Sequence, residues 1–367
     1  MKSIHNIQSI SSQEKERLSK YIGNGFIHFD KYFSSFSKHE LNAIVFLSIE
    51  KPLHLCRFLN TSFAILQNSI NHPSYRHFEI AKKRGGVRDI YAPAPKLSKF
   101  QKSLNYYLQA YYLCIKPEEV YGFVVNPHYQ GTFCNIVENA RNHVGKKHIL
   151  NIDLKDFFPG IRANRVKELF TSSIFDLNEE MATALALLIT FQGKLPIGAP
   201  TSPVISNFIC LQLDEELGLF STENGLTYSR YADDLTFSSN EIISYKLVDK
   251  LIRLIEKNDF QINNQKLHLV ASNRKQTVTG ITVNEKVNVD RKLLKTTRAM
   301  LHDLTENGLI NATKHHFNIA GNLDERIKNR FVNRLEGYIN FIGQVIGKTD
   351  VKYLHLKTKF DSVFELR

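Results

Sequence analysis

The sequence predicts an α+β fold, with helical segments at both ends and an antiparallel sheet between them. Three observations carry this expectation. Two short runs of β-branched and aromatic residues, Leu226-Thr227-Tyr228 and Leu235-Thr236-Phe237, flank the tetrapeptide Tyr231-Ala232-Asp233-Asp234, so the acidic pair caps a hairpin. The apolar run His148-Ile149-Leu150-Asn151-Ile152-Asp153 reads as a strand that ends on an acid. Residues 291–304 and 326–346 read as long helices in a basic C-terminal third.

The remaining elements follow in order. Residues 1–50 mix charge with aromatics, as in Phe26-Ile27-His28-Phe29 and Tyr32-Phe33, and read as a separate helical extension. Over residues 51–71, Leu53, Cys56, Leu59, Phe63 and Leu66 recur at helical spacing. Residues 77–81 and 87–91 read as strands joined by Lys83-Arg84-Gly85-Gly86, whose double glycine suits a tight hairpin. Pro93 and Pro95 close the second strand, and a helix is expected over 99–113. Helices are also expected over 163–170, 179–191 and 203–217, the last opening at Thr201-Ser202-Pro203 with proline in its first turn. Residues 245–258 are amphipathic and helical, and 261–270 and 276–283 return to strand.

A chain of 367 residues is long enough for two or three packed subdomains. Its formal charge of +12 favours polyanionic partners, nucleic acid first and an anionic membrane surface second. Cys56, Cys114, Cys134 and Cys210 have neither metal-ligand spacing nor a disulfide framework, which fits a reducing compartment. Met1 to Ser12 shows no signal-peptide pattern, and no run approaches the roughly 20 apolar residues of a membrane span. A cytoplasmic protein with no membrane partner is expected.

Asp153, Asp233 and Asp234 form the candidate site. If the strand ending at Asp153 neighbours the acidic hairpin, the three carboxylates converge. Two such charges about 4 Å apart repel by about 4 kcal/mol at an effective dielectric near 20. The cluster therefore needs cations or protons. Oxygen ligands without histidine or cysteine suit Mg²⁺, and two such ions would clamp the attacking and leaving oxygens of a phosphoryl transfer. An isolated Asp-Asp far more often serves only a polar turn. The flanking strands and the strand-terminal Asp153 favour a site.

These residues resemble a reverse transcriptase. Tyr231-Ala232-Asp233-Asp234 is similar to the catalytic hairpin of that family, and Asn151-Ile152-Asp153-Leu154-Lys155-Asp156-Phe157-Phe158-Pro159 to its first acidic motif. Leu195-Pro196-Ile197-Gly198-Ala199-Pro200-Thr201-Ser202-Pro203 resembles the loop and helix that support template and incoming nucleotide. The resemblance spans about residues 82–345 with its motifs in order. It implies a right-hand polymerase: helical extension (1–50), fingers (51–150), palm with an antiparallel sheet (151–285) and helical thumb (286–367).

The resemblance also implies roles. Asp153, Asp233 and Asp234 would bind two Mg²⁺ ions, helped by the Leu154 carbonyl. Phe158 matches the steric gate that selects deoxynucleotides, its alternative being a core aromatic. Arg88, with Lys82 or Lys83, matches the residues that hold the triphosphate, and Gly198 lies in the nucleotide-binding loop. Lys266 matches a lysine proposed to protonate the leaving pyrophosphate, although Leu267 follows where relatives often have threonine. Ile197 stands where relatives usually carry glutamine.

Two further strings resemble the retron branch of bacterial reverse transcriptases: Asn139-Ala140-Arg141-Asn142-His143, like its Asn-Ala-x-x-His element, and Val278-Thr279-Gly280. Asn139 and His143 would recognise RNA by hydrogen bonds and stacking, or else form a helix-end cap. Arg326, Lys328, Arg330 and Arg334 would contact phosphates along the product duplex, with Tyr338 on a sugar or in the thumb core. His315-His316 is expected at the surface with no further ligands nearby. A retron enzyme binds its own structured noncoding RNA, primes from a guanosine 2′-hydroxyl, and uses deoxynucleotide triphosphates to make branched multicopy single-stranded DNA (msDNA). The resemblance further implies anti-phage defence with a separate effector protein. Alternatives are another bacterial reverse transcriptase and a non-catalytic RNA-binding scaffold.

Overall fold

The structure, a computed structural model, describes residues 36–82, 85–125 and 133–365. Three helices come first, α1 (Lys38–Leu47), α2 (Pro52–Phe58) and α3 (Phe63–Asn71), then the hairpin β1 (Tyr75–Ala81) and β2 (Val87–Pro93). Next are α4 (Pro95–Ile115), α5 (Ile136–Arg141), β3 (His148–Asp153) and the short α6 (Phe157–Gly160). Helices α7 (Ala163–Thr171), α8 (Glu179–Ile189), α9 (Ser202–Ile209) and α10 (Leu211–Glu223) lead to β4 (Thr227–Tyr231) and β5 (Asp234–Ser239). The chain continues through α11 (Tyr245–Lys257), β6 (His268–Ala271), β7 (Thr277–Val278) and β8 (Ile281–Thr282). It closes with α12 (Arg291–Phe317), α13 (Glu325–Ile346) and α14 (Val351–Glu365).

The central sheet has strand order β4-β5-β3-β6, with β3 antiparallel to β6 through His148↔Ala271 to Asn151↔His268. β1 and β2 form a separate antiparallel ribbon, in register from Tyr75↔Pro93 to Ala81↔Val87. The described residues form two compact units: those of 36–134, 152–235 and 244–267 in the first, and 135–151, 236–243 and 268–365 in the second. Strands β3 and β5 each have residues in both. Among the described residues no helix is long and apolar enough to cross a membrane, and Cys56, Cys114 and Cys210 are free thiols.

Local chemistry sets the boundaries. Ser37 and Glu40 form a reciprocal capping box at α1, and Asn178, Ser244 and Asp324 accept backbone N–H bonds at the starts of α8, α11 and α13. The helix expected over 51–71 is two helices, because Asn60 turns left-handed (φ 48°) and Ser62 caps a new start. The helix expected over 203–217 divides at Cys210 into α9 and α10. Of the strand expected over 261–270 only β6 forms, since the Asn263 side chain accepts from Gln265 N–H and caps a 3₁₀ turn at Asn264–Lys266. The strand expected over 276–283 is the hairpin β7–β8, whose two turn residues, Thr279 (φ 49°) and Gly280 (φ 83°), are both left-handed as a type I′ turn requires.

The second unit is built on the apolar faces of α12, α13 and α14. Leu301, Leu304, Phe331, Leu335, Ile339, Ile342 and Leu356 pack there with Val278 and Ile281 of the small hairpin. Tyr338 packs against the same core. Gly343 lets α14 approach, because a Cβ there would stand 2.4 Å from the Tyr353 ring. Gly308 (φ 75°, ψ 169°) bends α12 sharply. Asp303 and His315 would be about 18 Å apart on an unbroken helix. The bend brings Asp303 Oδ2 to 2.6 Å from His315 Nδ1 and 3.2 Å from His316 Nε2, so the two histidines do have an acidic neighbour. A 2.6 Å contact is a hydrogen bond, closer than the about 3.3 Å between two ligands of one tetrahedral zinc. The cluster is a hydrogen-bonded staple across the bend.

Candidate metal and phosphate site

The acidic site is assembled by backbone pairing. Tyr231 ends β4 and Asp234 begins β5, leaving Ala232 and Asp233 as the whole turn. Ala232 adopts φ 60°, a left-handed conformation unfavourable for a residue with a Cβ. The Leu154 N–H donates to the Asp233 carbonyl at 2.9 Å, which ties the turn to the end of β3 one residue beyond Asp153. On the other side of β3, Asn263 N–H donates to the Asp153 carbonyl (2.8 Å) and Lys155 N–H to the Gln261 carbonyl (2.7 Å). That pairing delivers Lys266, whose Nζ donates to Asp153 Oδ1 at 2.6 Å.

The electrostatics suit a cation. Asp153 is buried. The Asp233 carboxyl is raised above its usual range by burial and by the Asp153 anion, against the pull of Lys266 and Arg88. Asp234 is pushed up to about 6 by desolvation first, then by Asp233 and Asp153. All the side-chain donors here are carboxylates, and Leu154 supplies a neighbouring carbonyl. This is the oxygen donor set a hard divalent cation takes, and a bound cation would favour the anionic form that burial and the neighbouring carboxylates disfavour. The residues present therefore fit the metal the fold implies.

The nucleotide-binding candidates belong to the same unit. Arg88 lies on β2 opposite Ile80, and its charge reaches Asp233. Lys82 N–H donates to the Gly86 carbonyl at the hairpin tip (2.9 Å), whereas Lys83 lies outside the described residues. Tyr91 N–H donates to the Ile197 carbonyl at 2.8 Å, so the loop before α9 is stitched to β2 through main chain. Gly198 (φ 111°) is required there, since a Cβ would stand 2.8 Å from Ile90 Cγ2. Phe157 is buried against Phe260, while Phe158 is only partly covered, beside Phe123 at 5.6 Å.

The RNA-binding candidates lie in the second unit. Asn139 and His143 are fully enclosed by protein. His143 Nδ1 hydrogen-bonds Ser238 Oγ at 2.7 Å, and burial, then Lys146, pushes its pKa down to about 3. Neither side chain presents a face for a base to stack on, and the buried Asn139 side-chain amide has no hydrogen-bond partner among the described residues. Val278 is buried as well. Thr279 Oγ1 donates to the Ile136 carbonyl at 3.1 Å, joining the Val278-Thr279-Gly280 turn to the start of α5, and Gly280 is exposed. The two signature strings therefore pack on one another. Arg326, Arg330 and Arg334, spaced i, i+4, i+8, are all exposed on α13, and Arg334 and Arg330 lie 4.7 and 5.9 Å from the Phe317 ring. Lys328 is held by Glu325.

One residue the sequence reading passed over lies beneath the acidic turn. Arg230 is fully buried, and its Nη1 donates to the Ala232 carbonyl at 3.1 Å. The sequence gives no signal for it, because an arginine in a strand reads as exposed.

Residues 80–283, more than half of the chain, match the family described as "Reverse transcriptase (RNA-dependent DNA polymerase)". The chain is 31% identical over 283 residues to the retron Mx65 reverse transcriptase of Myxococcus xanthus, which covers 70% of this chain and 64% of that protein. It is 37% identical over 172 residues to the retron Ec86 reverse transcriptase of Escherichia coli, 46% of this chain and 53% of that protein. The retron Ec73 reverse transcriptase of Escherichia coli is 31% identical over 285 residues, 72% of this chain and 81% of its own length. The chain thus spans between half and two thirds of the first two relatives.

Proposed function

The chain belongs to the bacterial retron reverse transcriptases, and on that premise we propose that it is an RNA-directed DNA polymerase that copies part of its own noncoding RNA. One observation carries the reading: Leu154 N–H bonded to the Asp233 carbonyl, which brings the ends of β3 and of the β4–β5 hairpin together with their three acids. The reaction joins a primer hydroxyl oxygen to the α-phosphorus of a deoxynucleotide triphosphate, breaks the bond to pyrophosphate and releases the hydroxyl proton.

Asp153, Asp233, Asp234 and the Leu154 carbonyl would hold two Mg²⁺ ions. When bound, these would acidify the attacking hydroxyl and neutralise the departing pyrophosphate. The protein residues prepare the site around them. Arg88, with Lys82 or Lys83, neutralises triphosphate oxygens. Lys266 holds a proton on Nζ beside Asp153, from which it can be passed to the leaving group. The Phe158 ring, kept partly uncovered while Phe157 fills the core, closes the space a 2′-hydroxyl needs. Ile197 acts through its carbonyl on β2, so its apolar side chain leaves the loop anchored.

The retron assignment adds the finer reading: the primer is the 2′-hydroxyl of a guanosine in a structured noncoding RNA, the product is branched msDNA, and a separate effector protein couples the complex to anti-phage defence. The exposed arginines of α13 supply phosphate contacts. Asp233→Asn is expected to lower deoxynucleotide incorporation by at least about 10³-fold while RNA affinity is retained. Full activity in that variant defeats the polymerase reading. Sequencing the nucleic acid that copurifies with the protein tests the rest. Branched DNA–RNA of one defined sequence supports a retron, and linear copies of varied sequence speak against it.

A further inference from the structure

We propose that Arg230 is a positioning residue of the nucleotidyl-transfer site: anchored by Asp214, its guanidinium holds the Ala232 carbonyl and so fixes the turn that aims Asp233. The proposal rests on the polymerase reading and adds to it a residue that touches neither substrate nor metal.

The argument begins with the cost of a buried charge. A guanidinium with no exposed surface must be fully paired to be tolerated. Asp214, equally buried on α10, takes two of its corners, Nε to Oδ1 at 2.7 Å and Nη2 to Oδ2 at 2.7 Å. The Tyr228 hydroxyl donates to the same Oδ1 at 2.8 Å. Burial opposes the charge on Arg230, and the adjoining Asp214 anion more than restores it. If this pair served only to stabilise the fold, two apolar side chains of the same volume would do as well.

The third corner shows what the pair supports. Nη1 donates to Asn207 Oδ1 at 3.0 Å and to the Ala232 carbonyl at 3.1 Å. Asn207 Nδ2 in turn donates to the Gly122 carbonyl at 3.0 Å. Gly122 lies directly against the turn, since a Cβ there would stand 2.3 Å from Ala232 N and 2.8 Å from Tyr231 C. The segment carrying Gly122 is itself bonded to β4 on both sides of Arg230, through Arg230 N–H to the Glu119 carbonyl and Tyr121 N–H to the Arg230 carbonyl, each 2.9 Å.

These contacts act on a strained backbone. Ala232 is left-handed, and a non-glycine residue persists there only when its surroundings hold it. The Ala232 carbonyl and the Asp233 N–H share one rigid peptide plane. Holding that carbonyl therefore sets the direction in which Asp233 leaves the turn. The next carbonyl, that of Asp233, is held by Leu154 N–H. Two successive carbonyls are fixed, one from below and one from the neighbouring strand. Released from Arg230, the peptide can rotate and carry the Asp233 carboxylate away from Asp153. A displacement near 1 Å costs roughly 10²-fold in rate.

The test compares Asp214→Leu/Arg230→Met, which removes both buried charges together, with Gly122→Ala, which leaves the ion pair intact and presses on the turn from beneath. Each is assayed for thermal unfolding, RNA affinity, and kcat and KM for single-deoxynucleotide addition. Expected is a fall in kcat of roughly 30- to 100-fold in folded protein, with KM and RNA affinity within about threefold of wild type. Arg230→Lys is expected not to rescue kcat, because a single ammonium cannot span Asp214 and the Ala232 carbonyl. A folded double variant with kcat within threefold of wild type overturns the proposal. If the double variant does not fold, the same threshold applied to folded Arg230→Lys, which keeps the charge and loses the span to the Ala232 carbonyl, decides. A wild-type protein that adds no nucleotide fails the polymerase reading instead, so the two failures are distinct.

Discussion

The acidic turn of the first unit and the paired signature strings of the second are built from similar material and put to opposite use. Each joins short polar motifs from distant parts of the chain through a left-handed turn, Ala232 in one and Thr279-Gly280 in the other. At the acidic turn the side chains stay incompletely satisfied: Asp233 is raised by burial and by Asp153, and Asp234 by burial, Asp233 and Asp153. In the signature pair His143 closes on Ser238 and Thr279 on the Ile136 carbonyl, while the buried, uncharged Asn139 side-chain amide bonds nothing among the described residues. Unmet charge marks a place kept for a ligand, whereas polar groups that bond within the fold mark a joint. A recognisable string alone does not separate the two.

The sharpest way to break this comparison is His143→Ala. If the residue is a joint, the variant opens a cavity and strands the Ser238 hydroxyl, at a cost of about 2–4 kcal/mol. RNA affinity of the folded fraction should not change. The pH profile carries a sign. The folded pKa of about 3 lies below the ordinary 6.5, so the wild type is favoured above pH 6.5 and loses that advantage as pH falls towards 3. Variant and wild-type stabilities should therefore converge in acid, as read by denaturant unfolding between pH 4 and 8. A variant of native stability with weakened RNA binding returns His143 to the surface role.

Removing charge at the acidic turn should do the reverse and stabilise. Asp234 keeps its proton to about pH 6 when folded and to about 3.8 when unfolded. Without metal, stability is then lost as pH rises from about 4 to about 6, the window in which the unfolded state binds fewer protons. Asp234→Asn avoids that loss. Because Asp234 is partly exposed, solvent screening limits the gain to roughly 1–3 °C in Tm at pH 7.5 in chelator. The gain should vanish below pH 4, and it should shrink when Mg²⁺ is added to the wild type. Equal Tm values at pH 7.5 in chelator would show that the carboxylates carry no repulsion.

These two regions also show what sequence could and could not convey. Asp153, Asp233 and Asp234 were legible because each sits at the end of an apolar, β-branched run, where local pattern fixes the geometry. Lys266 was legible as a motif residue, but its contact with Asp153 depends on how residues 261–263 pair beside β3, and Asn263 hides that by capping a turn. Arg230 was not legible, since a charged residue in a strand reads as exposed until Asp214 is placed beneath it. The break at Asn60 was masked because Leu59 and Phe63 keep a four-residue spacing across it. His143 shows the opposite limit: a histidine in a recognised motif suggested a ligand contact, and only tertiary structure revealed Ser238 as its partner.

The smallest effect is expected at Thr279, where the two readings of the signature strings separate cleanly. Thr279→Val keeps the shape of the side chain and removes only the hydroxyl that bonds the Ile136 carbonyl. The loss should be about 1 kcal/mol in denaturant unfolding, with RNA affinity unchanged. Thr279→Asn also loses that bond, but Asn-Gly is the pair a type I′ turn prefers, and it relieves the strain of a β-branched residue at φ 49°. It should therefore recover most of the stability. If Thr279 contacts RNA instead, the valine variant keeps its stability and loses affinity, and asparagine restores neither the hydroxyl nor the binding. The order of the two variants in unfolding, set against their order in RNA binding, decides whether this turn is a joint or a reading surface.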